Sequence, residues 1–302
     1  MIADSIERLV MSYRQTNCIS GALADFLYRR GPRMCGRGPG PVIPGGTDQL
    51  QGAIDAAVAL DHSSLCIQGP PGCGKTFTAA RMETALLEGG KRVGIMSNGH
   101  RAIDLLLGQS VVVALDKRVR FTAAKVGDDP ESRLDSTAYC RNAGDLFKLD
   151  TLPNLVGGKA WVFSHPDAVG KFDHLFIDEV GQVSLANLVG IAASAANLIL
   201  LGDQMQLEQP TQGTHPGESG QSILEYLLKD QATIPDTLGI FLNRTWRMRP
   251  EICRFISESR YEGRLLPEPV TFSRELRLAG GESNLIRANA GVTYVPVEHE
   301  DN

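Results

Sequence analysis

Apolar residues follow two rhythms along this chain. In residues 1–30 they recur at helical spacing, at Ile6, Leu9, Val10 and Tyr13, then at Ala22, Leu23, Phe26 and Leu27, which predicts an N-terminal helical segment. Residues 31–46, GPRMCGRGPGPVIPGG, hold six glycines and four prolines and read as a linker. A helix is predicted next, through Gln51, Ile54, Ala57 and Val58. From Leu65 the rhythm changes. Short apolar runs (LCIQ, RVGIMS, AWVFS, HLFID, NLILLGD and GIFLN) alternate with helical stretches at 76–87, near 102–107 and after Ser184. Apolar strands separated by helices predict an α/β fold, a parallel sheet with helices on both faces. Residues 109–158 are mixed and polar, with KVGDDPESR in their middle, and are expected as a small insertion on the sheet. No internal repeat is present.

Composition narrows the class. The chain has 302 residues, 42% hydrophobic and 22% charged, as ordinary globular proteins do. No run approaches the 18 or so apolar residues of a membrane span, and MIADSIERLVMSYRQ lacks the apolar core of a secretion signal. The six cysteines show no C-x-x-C pair and no zinc spacing, so reduced thiols in a cytoplasmic protein are expected. A net charge of -5 argues against wholesale coating of nucleic acid but leaves room for a narrow basic track.

One stretch carries definite chemistry. Gly69-Pro70-Pro71-Gly72-Cys73-Gly74-Lys75-Thr76 fits G-x-x-x-x-G-K-[ST], with an apolar strand before it and a helix after it. Glycines let backbone N–H groups curl around phosphate, and the helix start adds its positive end. Lys75 is expected on the β- and γ-phosphates of ATP, and the Thr76 hydroxyl on Mg²⁺. About a hundred residues on, HLFIDEVGQ places Asp178 and Glu179 at the carboxyl end of a buried strand, the edge where ligands sit in such sheets. Asp178 is expected to hold Mg²⁺, and Glu179 to orient and deprotonate a water. LLGDQMQLEQP turns at the same edge and puts Gln206 near the γ-phosphate.

GPPGCGKT, FIDEVGQ, LGDQMQLEQP and LNRTWRMRP stand in the order found in superfamily 1 helicases, which residues 47 to about 265 resemble. The G-D-x-x-Q-L and R-M-x-P forms look most like branch 1B, the nonsense-mediated-decay and senataxin type. ALADFLYRRGPR and QPTQGTHPGESGQSILEYLL look closer still to bacterial proteins that fuse a RecB-like nuclease to such a helicase. The resemblance implies a RecA-like ATPase domain acting on single-stranded DNA or RNA. It puts Gln51 at the adenine, Arg247 on the transferring phosphoryl group, Gln206 between γ-phosphate and strand, and Ser97, Asn98 and Ser164 on the strand's phosphates. Ser164 and Cys73 stand where the family often has Thr.

Other residues keep plainer readings. His100 and Arg101 fit a solvated helix face or a phosphate contact equally. His215 lies in a Gly/Pro loop with no role in the chemistry. Trp246 is expected as a core anchor beside Arg247, and Ser222 to Glu225 as a helix capping box. Superfamily 1 motors place ATP between two RecA-like domains. One is legible here, and residues 266–302 are expected to lead towards a second, so the chain reads as part of a longer protein with a possible nuclease domain. A non-translocating nucleotide switch and a P-loop small-molecule kinase are the competing readings.

Overall fold

The computed structural model describes residues 1–19, 21–127, 137–206, 216–275 and 294–297. His215 lies outside these, as do most of KVGDDPESR and most of residues 266–302. Among the described residues one sheet holds eight strands: β1 (Ser64–Gln68), β2 (Val93–Met96), β3 (Ala123–Val126), β4 (Ala138–Cys140), β5 (Leu155–Gly158), β6 (Phe172–Ile177), β7 (Ala195–Gly202) and β8 (Gly239–Phe241). Their order is β4-β3-β5-β2-β6-β7-β1-β8, and every pairing is parallel. Parallel neighbours need long crossovers, and helices supply most of them.

The helices are α1 (Ile2–Thr16), α2 (Gly21–Leu27), α3 (Gln49–Ala59), α4 (Lys75–Glu88), α5 (His100–Asp116), α6 (Ala143–Phe147), α7 (Ala160–Phe163), α8 (Leu185–Ile191), α9 (Ile223–Leu228) and α10 (Pro250–Arg260). Local chemistry sets several starts. Asp48, Asn142 and Ser184 accept a backbone N–H at the heads of α3, α6 and α8. Ser222 and Glu225 form the expected capping box on α9, and Pro250 opens α10. Two short strands, β9 (Arg244–Thr245) and β10 (Leu266–Pro267), pair beside the main sheet.

Leu65, Ile67, Val93, Ile95, Leu175, Phe176 and Ile177 are fully enclosed, which is why the central strands read as unbroken apolar runs. Burying each such side chain stabilises the fold by roughly 1.5–3 kcal/mol. The N-terminal segment belongs to the same core. Ala22, Leu23 and Phe26 of α2 pack into it, and Tyr226 of α9 donates its hydroxyl to Leu27 O at 2.8 Å. The buried Asp25 carboxylate is met by Ser63 Oγ at 2.6 Å and Arg33 Nε at 2.9 Å, so its charge is compensated. Helix α1 lies on α8, with Ile2 and Ile6 against Gly190.

Two sequence expectations are corrected. Residues 109–158 are not an insertion: they complete α5 and supply β3, β4 and β5 to the same sheet. AWVFS is not a strand but a single helical turn, α7, and the strand is the preceding LVGG. Both strands were disguised. Lys125 sits buried in β3, its charge met by Asp104 of α5 at 2.5 Å. In β5, a Cβ on Gly157 would lie 2.8 Å from Ile103 Cγ2, so helix packing demands glycine where strand preference asks for a branched residue.

The order of strands brings the carboxyl ends of β6, β7 and β1 together. Ile177 is level with Leu200, and Gly202 with Gln68. Gly69 N donates to Gly202 O at 2.8 Å, and Val180 N to Leu201 O at 3.0 Å. Three loops therefore leave the sheet side by side.

Candidate nucleotide site

The loop after β1 runs from Gly69 to Gly74 and opens into α4 at Lys75. Gly72 has φ +78°, and a Cβ there would lie 2.4 Å from the Cβ of Arg247. The glycine is therefore needed for both the turn and the close approach of the Arg247 segment. That segment is docked on the loop by two bonds. Trp246 N donates to Gly72 O at 2.9 Å, and Thr245 Oγ1 donates to Pro71 O at 3.1 Å. Lys75 Nζ donates to Gly69 O at 2.5 Å. Cys73 is buried, and burial pushes its thiol up to about 12, so it packs as a small apolar residue rather than a nucleophile.

The loop after β6 carries the two acids. Glu179 N donates to Asp178 Oδ1 at 2.9 Å. Burial pushes the Asp178 carboxyl up to about 6, against the pull of that N–H and of Lys75. Glu179 has φ +58°, a left-handed conformation uncommon outside glycine, and it ends the strand in a tight turn. Ser97 Oγ donates to Glu179 Oε2 at 3.4 Å.

The loop after β7 begins at Asp203, only 3% exposed, whose Oδ2 accepts the Gln206 amide at 3.4 Å. Gln204 is tied to the end of β1. The buried Gln68 donates to Gln204 Oε1 at 2.8 Å and to Ala232 O at 2.9 Å, and accepts from Ile234 N at 2.7 Å. This amide network was not visible in the sequence, because a glutamine ending a strand carries no motif.

The three loops and the Arg247 segment enclose one cavity of about 420 Å³. It is lined by Pro71, Gly72, Lys75, Thr76, Asp178, Glu179, Gln206 and Arg247, together with Arg101 and Leu105 of α5. Six of the predicted groups thus meet in one place: two cations, two carboxylates, a hydroxyl and an amide. A larger hollow of about 950 Å³, between the 31–40 loop and residues 227–238, holds none of them.

Four expected residues lie elsewhere or point elsewhere. Gln51 is exposed, outside the cavity, with its amide on Asp55 Oδ1 at 2.8 Å. Its neighbour Gln49 is the one that reaches the sheet, donating to Phe241 O at 2.8 Å at the strand end level with Gln68. Ser97 and Ser164 are buried; the Ser164 hydroxyl donates to Trp161 O at 3.3 Å. Asn98 donates its amide to Gln182 O at 2.8 Å. Three residues after Asn98, the exposed Arg101 lines the cavity from the first turn of α5. Trp246 is 55% exposed, so it is no core anchor.

The donor set suits a magnesium-bound triphosphate. Among the described residues no three His, Cys, Asp or Glu side chains cluster as a self-sufficient metal cage. The cavity instead offers one hydroxyl, that of Thr76, and one desolvated carboxylate, that of Asp178. Mg²⁺ is usually held in that way, by one or two protein groups plus substrate phosphates.

A family model described as "AAA domain" matches residues 46–218. The DNA replication ATP-dependent helicase/nuclease JHS1 of Arabidopsis thaliana is 29% identical over 213 residues, covering 70% of this chain and 15% of its own length. The ATP-dependent helicase NAM7 of Saccharomyces cerevisiae is 30% identical over 257 residues, covering 72% of this chain and 26% of its own. A solved arterivirus nonstructural protein 10 helicase bound to DNA overlays with a TM-score of 0.46 at 17% identity, over 78% of this chain and 48% of that one. This chain thus spans about a quarter or less of the two curated relatives. It belongs to the AAA domain family and carries a RecA-like, nucleotide-using domain of the superfamily 1 helicase type, with helicase/nucleases among its relatives.

Proposed function

We propose that this chain is the ATP-hydrolysing motor domain of a superfamily 1 helicase that moves on single-stranded nucleic acid, with a second RecA-like domain closing over the nucleotide. The observation that carries this is the meeting of Lys75, Thr76, Asp178, Glu179, Gln206 and Arg247 around one cavity at the carboxyl edge of a parallel sheet. The loop N–H groups and the start of α4 hold the β- and γ-phosphates, and Lys75 turns from Gly69 O onto them. Thr76 and Asp178 hold Mg²⁺, which supplies neutralising charge on the phosphate oxygens. Glu179 accepts the proton of the attacking water as the bond to the leaving ADP oxygen breaks, releasing phosphate. Arg247 stabilises the charge that builds up on the phosphoryl group, a task worth roughly 10³–10⁵ in rate for such an arginine.

Ser97 supports the link from strand to chemistry. It heads the segment assigned to the strand, and its hydroxyl is on the Glu179 carboxylate. Because the hydroxyls of Ser97 and Ser164 face inward, contact with the strand passes to exposed neighbours, with Arg101 the leading side chain. JHS1 is by its name a DNA replication helicase/nuclease, which favours DNA as the first strand to try. ATP turnover with single-stranded DNA, single-stranded RNA, neither, or small hydroxyl compounds tests the reading. Stimulation by a strand is expected. Phosphate transfer to a hydroxyl compound would make the protein a kinase, and turnover indifferent to every strand would make it a switch.

A further inference from the structure

Two groups proposed to sense the γ-phosphate, Gln206 and Arg247, sit on loops more than forty residues apart in sequence. One buried bond spans the gap. Tyr261, at the C-terminal end of α10, donates its hydroxyl to Asp203 Oδ2 at 2.7 Å. That is the oxygen that accepts the Gln206 amide, and the other oxygen of the same carboxylate accepts Met205 N at 3.3 Å. Asp203 and Tyr261 are 3% and 2% exposed, so water does not compete for the bond. The phenol ring rests 6.0 Å from the ring of Phe241, centroid to centroid, in a tilted arrangement. At its other end, α10 continues directly from the Arg247 segment, and that segment is docked on Gly72 and Pro71.

We propose that Tyr261 is a positioning residue that holds the Asp203–Gln206 loop in register with Arg247, so that amide and guanidinium reach the γ-phosphate as one unit. It touches no reacting atom and acts through Asp203. Burial and the adjacent Asp203 carboxylate push the Tyr261 hydroxyl well above its ordinary range, so the phenol remains a donor at any working pH. A hydrogen bond to a charged, buried acceptor is among the stronger kinds, so its loss is felt. This role rests on the ATPase reading above, but the bond's effect on the loop does not.

Tyr261→Phe in the 302-residue chain keeps the ring and removes the donor. Two measurements decide the matter. In steady-state ATPase assays, referred to the folded fraction given by the stoichiometry of nucleotide binding, kcat is expected to fall about tenfold, the loss of one such bond. KM and nucleotide Kd are expected to stay within about twofold of wild type. In a Gln206→Ala background the same change should then have little further effect, because Tyr261 works through that side chain. An unchanged kcat, or a loss that multiplies with that of Gln206→Ala, overturns the proposal. Hydrogen exchange of residues 203–206 without nucleotide gives the second reading. Exchange is expected to quicken in Tyr261→Phe, and unaltered protection overturns the proposal even if wild type shows no turnover. A wild type that binds ATP but never hydrolyses it, with quickened exchange in the variant, defeats the ATPase reading and leaves the link between Tyr261 and the loop standing.

Discussion

Lys75 is the cation of the phosphate loop, and its Nζ lies on Gly69 O, 2.5 Å away, beside the cavity it lines. Lys75→Ala is expected to weaken nucleotide binding about ten- to a hundredfold, the worth of bonds to a charged group. Titration with a fluorescent ATP analogue reads this, and undiminished affinity would remove Lys75 from the site. Residues such as this were legible because a phosphate loop needs glycine and lysine at fixed positions whatever the rest of the chain does. The direction taken by the glutamine expected at the adenine was less legible, because helical phase decides it. Gln51 N is bonded to the capping Asp48, which leaves its side chain on the outer face with Asp55. Gln49, two residues earlier, lies on a different face and reaches β8. Gln49→Ala is therefore expected to lower ATP affinity roughly two- to tenfold and to narrow the preference for ATP over GTP, with Gln51→Ala near wild type. Competition titrations with both nucleotides check it, and the reverse ranking would restore Gln51. Burial misled in the same way at Ser97 and Ser164, where a hydroxyl in the right place along the chain faces inward.

Elements were easiest to read where both sheet faces are covered, as in β1, β2, β6 and β7. A short, unbroken apolar run bounded by turns is what a strand enclosed on both faces requires. The outlying strands were harder. β3 hides a paired lysine, and β5 ends in two glycines that helices press against. AWVFS is as apolar as a strand, and nothing in so short a run distinguishes one helical turn from one strand. Within β6, His174 is 2% exposed, and burial pushes its pKa down to about 4. In the unfolded chain it titrates near 6.5. Its contribution to stability is complete above pH 6.5 and is lost as pH falls towards 4, because only the unfolded chain takes up the proton. Between about pH 7.5 and 5.0 this amounts to about 2 kcal/mol. His174→Leu is expected to lose about that much less than wild type over the same interval. Urea unfolding at the two pH values measures the difference, and parallel losses would show that His174 does not carry it.

At the scale of the whole molecule, the site exists because strand order overrides sequence order. The phosphate loop, the acid pair and the Asp203 loop come from β1, β6 and β7, which lie next to one another in the sheet although more than a hundred residues separate the first from the second. A site at the carboxyl edge of a parallel sheet was expected from alternating strands and helices, but the placement of strands from residues 109–158 in the same sheet was not. Among the described residues one core serves all of it, α2 included, so these elements should fold as one unit. The most direct measurement is phosphate release from Mg²⁺-ATP by the wild-type chain and by Glu179→Gln, each saturated with nucleotide. The wild type is expected to release phosphate, faster with a single strand present. Glu179→Gln is expected to bind ATP equally well and to release phosphate about 10²–10⁴-fold more slowly, the usual worth of a positioned general base. Equal rates from the two proteins would contradict the site as built from Asp178, Glu179 and the phosphate loop.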